Sequence, residues 1–297
     1  MWIADRWQDF ELIDAGDGEK LERWGEVVLQ RPDPQAIWPR GDWMSDGFPR
    51  PHAVYRRSRE GGGHWQTQQK HPAIWTVRYP GVSGDLAFSV EPTGFKHTGL
   101  FPEQAANWDE MATSIRARKD TGSDVRVLNL FAYTGAATVA CAKAGASETV
   151  HLDASKGMNA RARRNLQLSG MEDAYVRFFT EDARQFVERE LRRGRQYDGI
   201  LMDPPAYGRG PSGELWRLED ALYGLVELCA GLLSDQPLFF FINSYTTGLA
   251  PSVLGDILSL VLDGRGGRIR AEELGLPATA RKLILPCGAT GRWQADD

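Results

Sequence analysis

The spacing of hydrophobic positions changes character near residue 95. Ahead of it, short alternating runs such as EVVLQR and AIWTVRY are set off by turn signals at DAGDG and REGGG, the pattern of half-buried strands joined in hairpins. Beyond it, continuous apolar runs alternate with amphipathic stretches. Val125, Val127, Leu128 and Leu130 make the first such run, and its β-branched content suits an interior parallel strand covered on both faces. ETVHLD, VRFFT, YDGILMD and LFFFINS follow as further strands, with RIRAEELGL and ARKLILP as a closing pair. Helices between them are expected to begin near Ser155, Asp182, Glu214 and Pro251, and AANWDEMATSIRAR reads as a helix ahead of the first strand. This predicts an α/β fold, with a Rossmann-like seven-stranded sheet over residues 96–297 preceded by a small antiparallel β domain over residues 1–95.

The run from 125 leads into a turn at 131–135 and then into a helix begun by Ala136, Ala137 and Ala140. Gly135 can take backbone angles closed to other residues and lets a ligand approach the main chain, and Gly145 stops the helix. Doubly wound folds bind ligands at the carboxyl ends of their strands. Neither GxGxxG nor GxxxxGK[ST] occurs here, which points to a ligand held without phosphate. Asp153 ends the second run, about 18 residues beyond Gly135, where a carboxylate can accept hydrogen bonds from ribose hydroxyls. Asp182 and Asp203 follow the third and fourth runs, so three strands in succession finish with an aspartate at one sheet edge. Singly, each aspartate also reads as a helix N-cap.

LNLFAYTGAA, HLDAS, EDARQF and DPPAYG, in this order and spacing, resemble the motifs of class I S-adenosylmethionine-dependent methyltransferases. LFAYTG with DPPxY resembles, more narrowly, the large-subunit ribosomal RNA methyltransferases that make 5-methylcytosine or 7-methylguanine. The likeness covers roughly residue 94 to the C-terminus. It implies the methyltransferase variant of the sheet, with an antiparallel last strand, and S-adenosylmethionine as cofactor. It further implies that Asn129, Phe131, Tyr133, Thr134 and Gly135 flank the methionine end, that Asp153 and Ala154 meet the ribose, and that Asp182 with the backbone of Ala183 meets the adenine edge. HTGLFPEQ looks like the segment preceding the cofactor turn in that family, which makes Gln104 a further cofactor contact; capping of the next helix is its plainer role.

Asp203, Pro204, Pro205 and Tyr207 are the expected catalytic group, with Asp203 also touching the cofactor. Two prolines remove two amide donors, so that the Asp203 carboxylate and neighbouring carbonyls can face the acceptor, and Tyr207 can stack on an extruded base. GRGPSGELW behind them, with Arg209, reads as a flexible flap. Methyl transfer from a sulfonium asks for alignment and exclusion of water, so no metal is expected. Cytosine C5 chemistry requires a cysteine nucleophile. In the 5-methylcytosine members this follows strand five, where the present chain has NSYTTGL with Tyr245 or a neighbour in the cysteine position. Cys141 and Cys229 read as helix interior and Cys287 as the end of the last strand. A base nitrogen is therefore favoured as the acceptor.

Composition adds limits. The 297 residues, 42% hydrophobic and 25% charged, describe an ordinary globular chain with room for a full core. No apolar run approaches the roughly 18 residues of a membrane span, and the N-terminus lacks the basic-then-apolar order of a secretory signal, so a cytoplasmic protein is expected. Three scattered cysteines indicate neither a disulfide framework nor zinc. A net charge of −5 opposes a strongly nucleic-acid-binding surface, and leaves a small molecule or a protein as the alternative acceptor to ribosomal RNA. Local basic groups stand at Arg161, Arg163 and Arg164, at Arg189, Arg192, Arg193 and Arg195, and at Arg56, Arg57 and Arg59 in a turn-rich loop over 49–63. Solvated faces and a hairpin tip are the plain readings of these, as a β-domain core is of the seven tryptophans before residue 95.

Overall fold

The computed structural model describes residues 1–297 except 46, 59–61, 210–212, 214 and 297. The chain opens with β1 (Trp2–Ile3) and a meander of β2 (Phe10–Gly16), β3 (Glu19–Trp24) and β4 (Val27–Pro32), whose neighbours pair antiparallel across short turns. Two hairpins follow, β5 (Ala53–Arg57) with β6 (Gly63–Thr67) and β7 (Trp75–Gly81) with β8 (Gly84–Val90). Part of the stretch expected as a loop over 49–63 is thus a strand, because Ala53, Val54 and Tyr55 are buried ahead of the exposed Arg56 and Arg57. Arg59 lies outside the described residues. β4 and β5 run parallel, a departure from the all-antiparallel expectation. Trp24 and Trp43 are buried, and Trp38 and Trp75 give their indole N–H groups to the carbonyls of Ala15 and Trp24, so these rings are core.

A short 3₁₀ turn (Pro102–Gln104) leads into α1 (Ala105–Asp120), and the alternation then runs β9 (Arg126–Leu130), α2 (Ala136–Lys143), β10 (Glu148–Leu152), α3 (Lys156–Leu168), β11 (Val176–Phe179), α4 (Ala183–Arg192) and β12 (Gly199–Met202). A small hairpin of β13 (Tyr207–Arg209) and β14 (Leu215–Arg217) precedes α5 (Leu218–Ala230), β15 (Phe239–Ser244), α6 (Pro251–Val261) and the long pair β16 (Arg268–Ala278) and β17 (Leu283–Gln294). The helix expected near Glu214 therefore starts at Leu218; Glu214 itself lies outside the described residues, as do 210–212 of the expected flap.

The strands of this second part lie in the order β11-β10-β9-β12-β15-β17-β16. The first five are parallel and β17 is antiparallel to both its neighbours, the seven-stranded Rossmann-like arrangement expected of a methyltransferase sheet. The sheet does not stop at β16. β1 pairs with it at Leu274 and Gly275, and β2 at Ala278, so one 13-stranded sheet runs on to β6. One apolar cluster likewise includes Trp24, Phe88, Trp108, Val127 and Phe241. β16 and β17 shift register where Leu274 faces Gly288 and Gly275 faces Pro286, leaving Cys287 as the extra residue of a bulge. Cys287 hence sits within the last strand rather than at its end, because the bulge lets pairing resume at Gly288 and run on to Gln294.

Candidate functional site

The turn after β9 is sharply bent. Phe131, Tyr133 and Gly135 all have positive φ, at 55°, 51° and 80°, and left-handed geometry at two aromatic residues is a strain that the surroundings must hold. Asp153, following β10, supplies part of that hold: its carboxylate accepts from the Tyr133 and Ser155 amides, each at 2.8 Å. The Thr134 hydroxyl donates to the Gly99 carbonyl at 2.6 Å, tying the turn to the segment ahead of α1. Gly135 is required by contact as well as by angle, since a Cβ there would lie 2.6 Å from the Ala162 methyl. Asn129 is buried beneath, donating to Thr138, which meets His151 in turn.

In front of this turn lies a cavity of about 560 Å³, within the roughly 300–1,000 Å³ of small-molecule sites. Phe131, Tyr133, Asp153, Ala154, Asp182, Ala183, Asp203, Pro204 and Pro205 line it, so the ends of four adjacent strands converge as expected. Asp182 is also the N-cap of α4, accepting from Gln185 N at 3.0 Å. Burial raises the Asp153 carboxyl, which its two amide partners partly offset. Gln104, Asn129, Thr134 and Gly135 line instead a smaller adjoining space of about 60 Å³, shared with Phe131, Tyr133 and Asp203. Gln104 donates to the Tyr245 hydroxyl at 2.8 Å and accepts from Asn107 and Asn243. It therefore braces α1 against the end of β15 as well as bordering this space.

Asp203 borders both spaces. Burial, and then the charge of Glu103, push its carboxyl up to about 7. Tyr207 lies outside the cavity and is 60% exposed. Gly208, Arg209 and Trp216 of this hairpin line the cavity, Trp216 standing opposite Gly208, whereas Tyr207 stands opposite Arg217. Trp216 packs on Phe131 with centroids 5.1 Å apart and donates to the Pro205 carbonyl at 2.6 Å. Cys287, at the bulge in β17, lines the same cavity as Asp203. Its thiol donates to the Leu285 carbonyl, and burial pushes it well above the ordinary range.

The sequence model of the S-adenosylmethionine-dependent methyltransferase family matches residues 80–234, over half of the chain. The chain belongs to that family. A crystal structure of the SAM-dependent methyltransferase from Agrobacterium tumefaciens superposes with a TM-score of 0.90 at 31% identity, over 99% of this chain and 93% of that one. Ribosomal RNA large subunit methyltransferase K/L of Syntrophotalea carbinolica is 30% identical over 191 residues, 64% of this chain and 25% of that protein. Ribosomal RNA large subunit methyltransferase K of Neisseria meningitidis is 29% identical over 141 residues, 47% of this chain and 39% of that protein. The chain thus matches only a quarter to two-fifths of the length of these curated relatives.

As an S-adenosylmethionine-dependent methyltransferase, the protein has a cavity whose size and chemistry fit its cofactor: carboxyls at successive strand ends for hydroxyl and amine donors, and aromatic faces at the turn. A further wall is made by Lys20 on β3, Arg31 on β4 and Asp33 just after it, with Lys96 and His97 beyond β8. Arg31 is anchored by the fully buried Glu22, at 2.6 Å and 2.9 Å, and His97 is held neutral, down to about 4, by burial and then by the nearby Arg31, Lys96 and Lys20. Phe101 bridges Tyr133 and Tyr245, with centroids 5.6 Å and 5.1 Å away. No motif marks Lys20, Arg31 or Trp216; only the pairing of β3 with β4 and of β13 with β14 brings them to the strand ends. The basic helix faces are mostly paired, Arg161 with Glu91, Arg189 with Glu181 and Arg195 with Glu148, in keeping with the plain reading. Among the described residues no helix is long and apolar enough to cross a membrane and no cluster could hold a metal.

Proposed function

We propose that this chain transfers the methyl group of S-adenosylmethionine to a nitrogen of a base in ribosomal RNA. The observation that carries the acceptor class is the similarity to relatives named for large-subunit ribosomal RNA, joined to a cavity that continues past the methyl-donor turn to Asp203 and Trp216. A cytoplasmic location goes with that substrate. On this reading Asp153 and Ala154 meet the ribose, Asp182 and Ala183 the adenine, and Phe131, Tyr133, Thr134 and Gly135 the methionine portion, with Asn129 and Gln104 behind them. Residues 1–95 act as the unit that positions the acceptor, and residues 96–297 as the methyltransferase domain.

S-adenosylmethionine supplies an electrophilic methyl group; the chain's residues align the acceptor and exclude water. Trp216, locked to the Pro205 carbonyl, offers a face for the base. Asp203, divided between its two forms near neutrality, accepts a hydrogen bond from an N–H of the base. Nitrogen rather than C5 is favoured because Tyr245 follows strand five and the Cys287 thiol is held protonated, while C5 attack requires a thiolate. Nucleoside analysis of ribosomal RNA from cells with and without the gene tests this. An N-methylated nucleoside should be absent without the gene. Loss of 5-methylcytidine instead would overturn the nitrogen assignment, and an unchanged profile would overturn the ribosomal RNA acceptor.

A further inference from the structure

Charge is distributed unevenly along this acidic chain. Residues 47–84 contain Arg50, Arg56, Arg57, Arg59, Lys70 and Arg78 against the single acid Glu60, in a protein of net charge −5. Among the described residues, Arg50, Arg56, Arg57 and Lys70 take part in no ion pair, whereas Arg161, Arg189 and Arg195 do. The β5–β6 hairpin that carries Arg57 is fixed to the cavity wall. Tyr55 stands opposite Trp65, and the Trp65 indole N–H is shared by the carbonyls of Thr93 and Phe95, at 2.9 Å and 3.0 Å. Arg57 lies on the face of Tyr55 and Trp65, whereas Arg56 lies on the other.

The segment clamped by Trp65 continues into Lys96 and His97, which line the cavity, and Phe95 beside them is 69% exposed. Burial holds the Lys96 ammonium below its usual range against the opposing charge of Asp33, and the positive charges of Lys20, Arg31 and Arg57 act in the same direction as burial. Glu22 and Asp33 pair with Lys20 and Arg31, which leaves Arg57 and Lys96 without an ion pair among the described residues and able to meet an anion. An exposed aromatic ring among them favours a polyanion that also has planar bases to stack, which a carboxylate-rich protein does not offer.

We propose that Arg57, Phe95 and Lys96 form a track for the single-stranded RNA flanking the target base, Arg57 and Lys96 meeting its phosphates and Phe95 stacking a neighbouring base. The track rests on the RNA reading above and extends it to the N-terminal hairpin. Fluorescence anisotropy tests it with a labelled single-stranded RNA of about 12 nucleotides and protein saturated with S-adenosylhomocysteine.

Arg57→Glu and Phe95→Ala should each weaken binding about tenfold, and Arg57→Glu should lower the slope of log affinity against log salt by about 0.7. Arg56→Glu, the same charge change on the opposite face, should cost less than threefold by the same electrostatics. Affinity for S-adenosylhomocysteine, read by calorimetry, should match wild type in all three. Phe95→Trp should restore binding, with its fluorescence quenched by the RNA. If wild type binds RNA and Arg57→Glu binds as well, or if Arg56→Glu loses as much as Arg57→Glu, the track is wrong and the RNA reading stands. If wild type binds no RNA, or binds polyglutamate as tightly, both fail.

Discussion

Glu22→Gln is the substitution whose size the structure sets most closely. The Glu22 carboxylate has no exposed surface; it receives Arg31 Nε at 2.6 Å and Nη2 at 2.9 Å, and Lys20 Nζ lies 3.2 Å away. The amide keeps the shape but leaves Arg31 and Lys20 buried side by side with the remaining counter-charge of Asp33. Removing one partner of a buried ion pair typically costs about 3–5 kcal/mol. Linkage gives a similar size. The carboxyl is lowered from 4.5 to about 2 by Arg31 and then Lys20, which outweigh burial, and at about 1.4 kcal/mol per unit this is about 3 kcal/mol. A lowered folded-state value means stability that is present above pH 4.5 and lost as pH falls through about 2. Urea unfolding of both proteins should therefore show Glu22→Gln about 3 kcal/mol less stable at pH 7, with the gap narrowing by about 2 kcal/mol at pH 3. A deficit under about 1 kcal/mol at pH 7, or one that does not change with pH, refutes this account of the wall.

Three further variants probe the cavity. Asp153→Ala should weaken S-adenosylmethionine by about 1–3 kcal/mol in calorimetry, since the ribose loses its acceptor and the Tyr133 amide its partner; unchanged affinity rejects the ribose assignment. Trp216→Ala should lower turnover by the equivalent of about 1–3 kcal/mol with cofactor affinity retained, and Tyr207→Ala should lower it less; the reverse ranking returns the stacking role to Tyr207. Asp203→Asn should flatten a rate profile that in wild type rises through about pH 7. Because the folded-state value of this carboxyl is raised, its stabilising contribution is full below pH 3.8 and gone above about pH 7, so the asparagine variant should gain stability over wild type at pH 8. A rising profile in the variant removes Asp203 from the chemistry.

Much of the second part was legible because its signals are local. A five-residue apolar strand, a turn that needs Gly135 and an acid at the next strand end are all written within short windows, and the structure joins them at one cavity. What escaped depends on pairing across distance. The insertion of β1 and β2 beside β16 involves residues more than 260 positions apart. Cys287 read as a strand end because a bulge has no sequence mark once Pro286 intervenes. Trp216 reaches the cavity only through the three-residue hairpin that sets it opposite Gly208. Nothing in the run EVVLQR marks its last residue, Arg31, since Glu22 becomes its buried partner only when β3 folds against β4.

The most direct test of the central claim is methyl transfer by the purified protein from methyl-labelled S-adenosylmethionine to large-subunit ribosomal RNA taken from cells lacking the gene, followed by digestion and mass spectrometry of the nucleosides. Label on a ring or exocyclic nitrogen of one base is the predicted result. Label at cytosine C5, or none in RNA while a protein or small molecule is methylated, would contradict it.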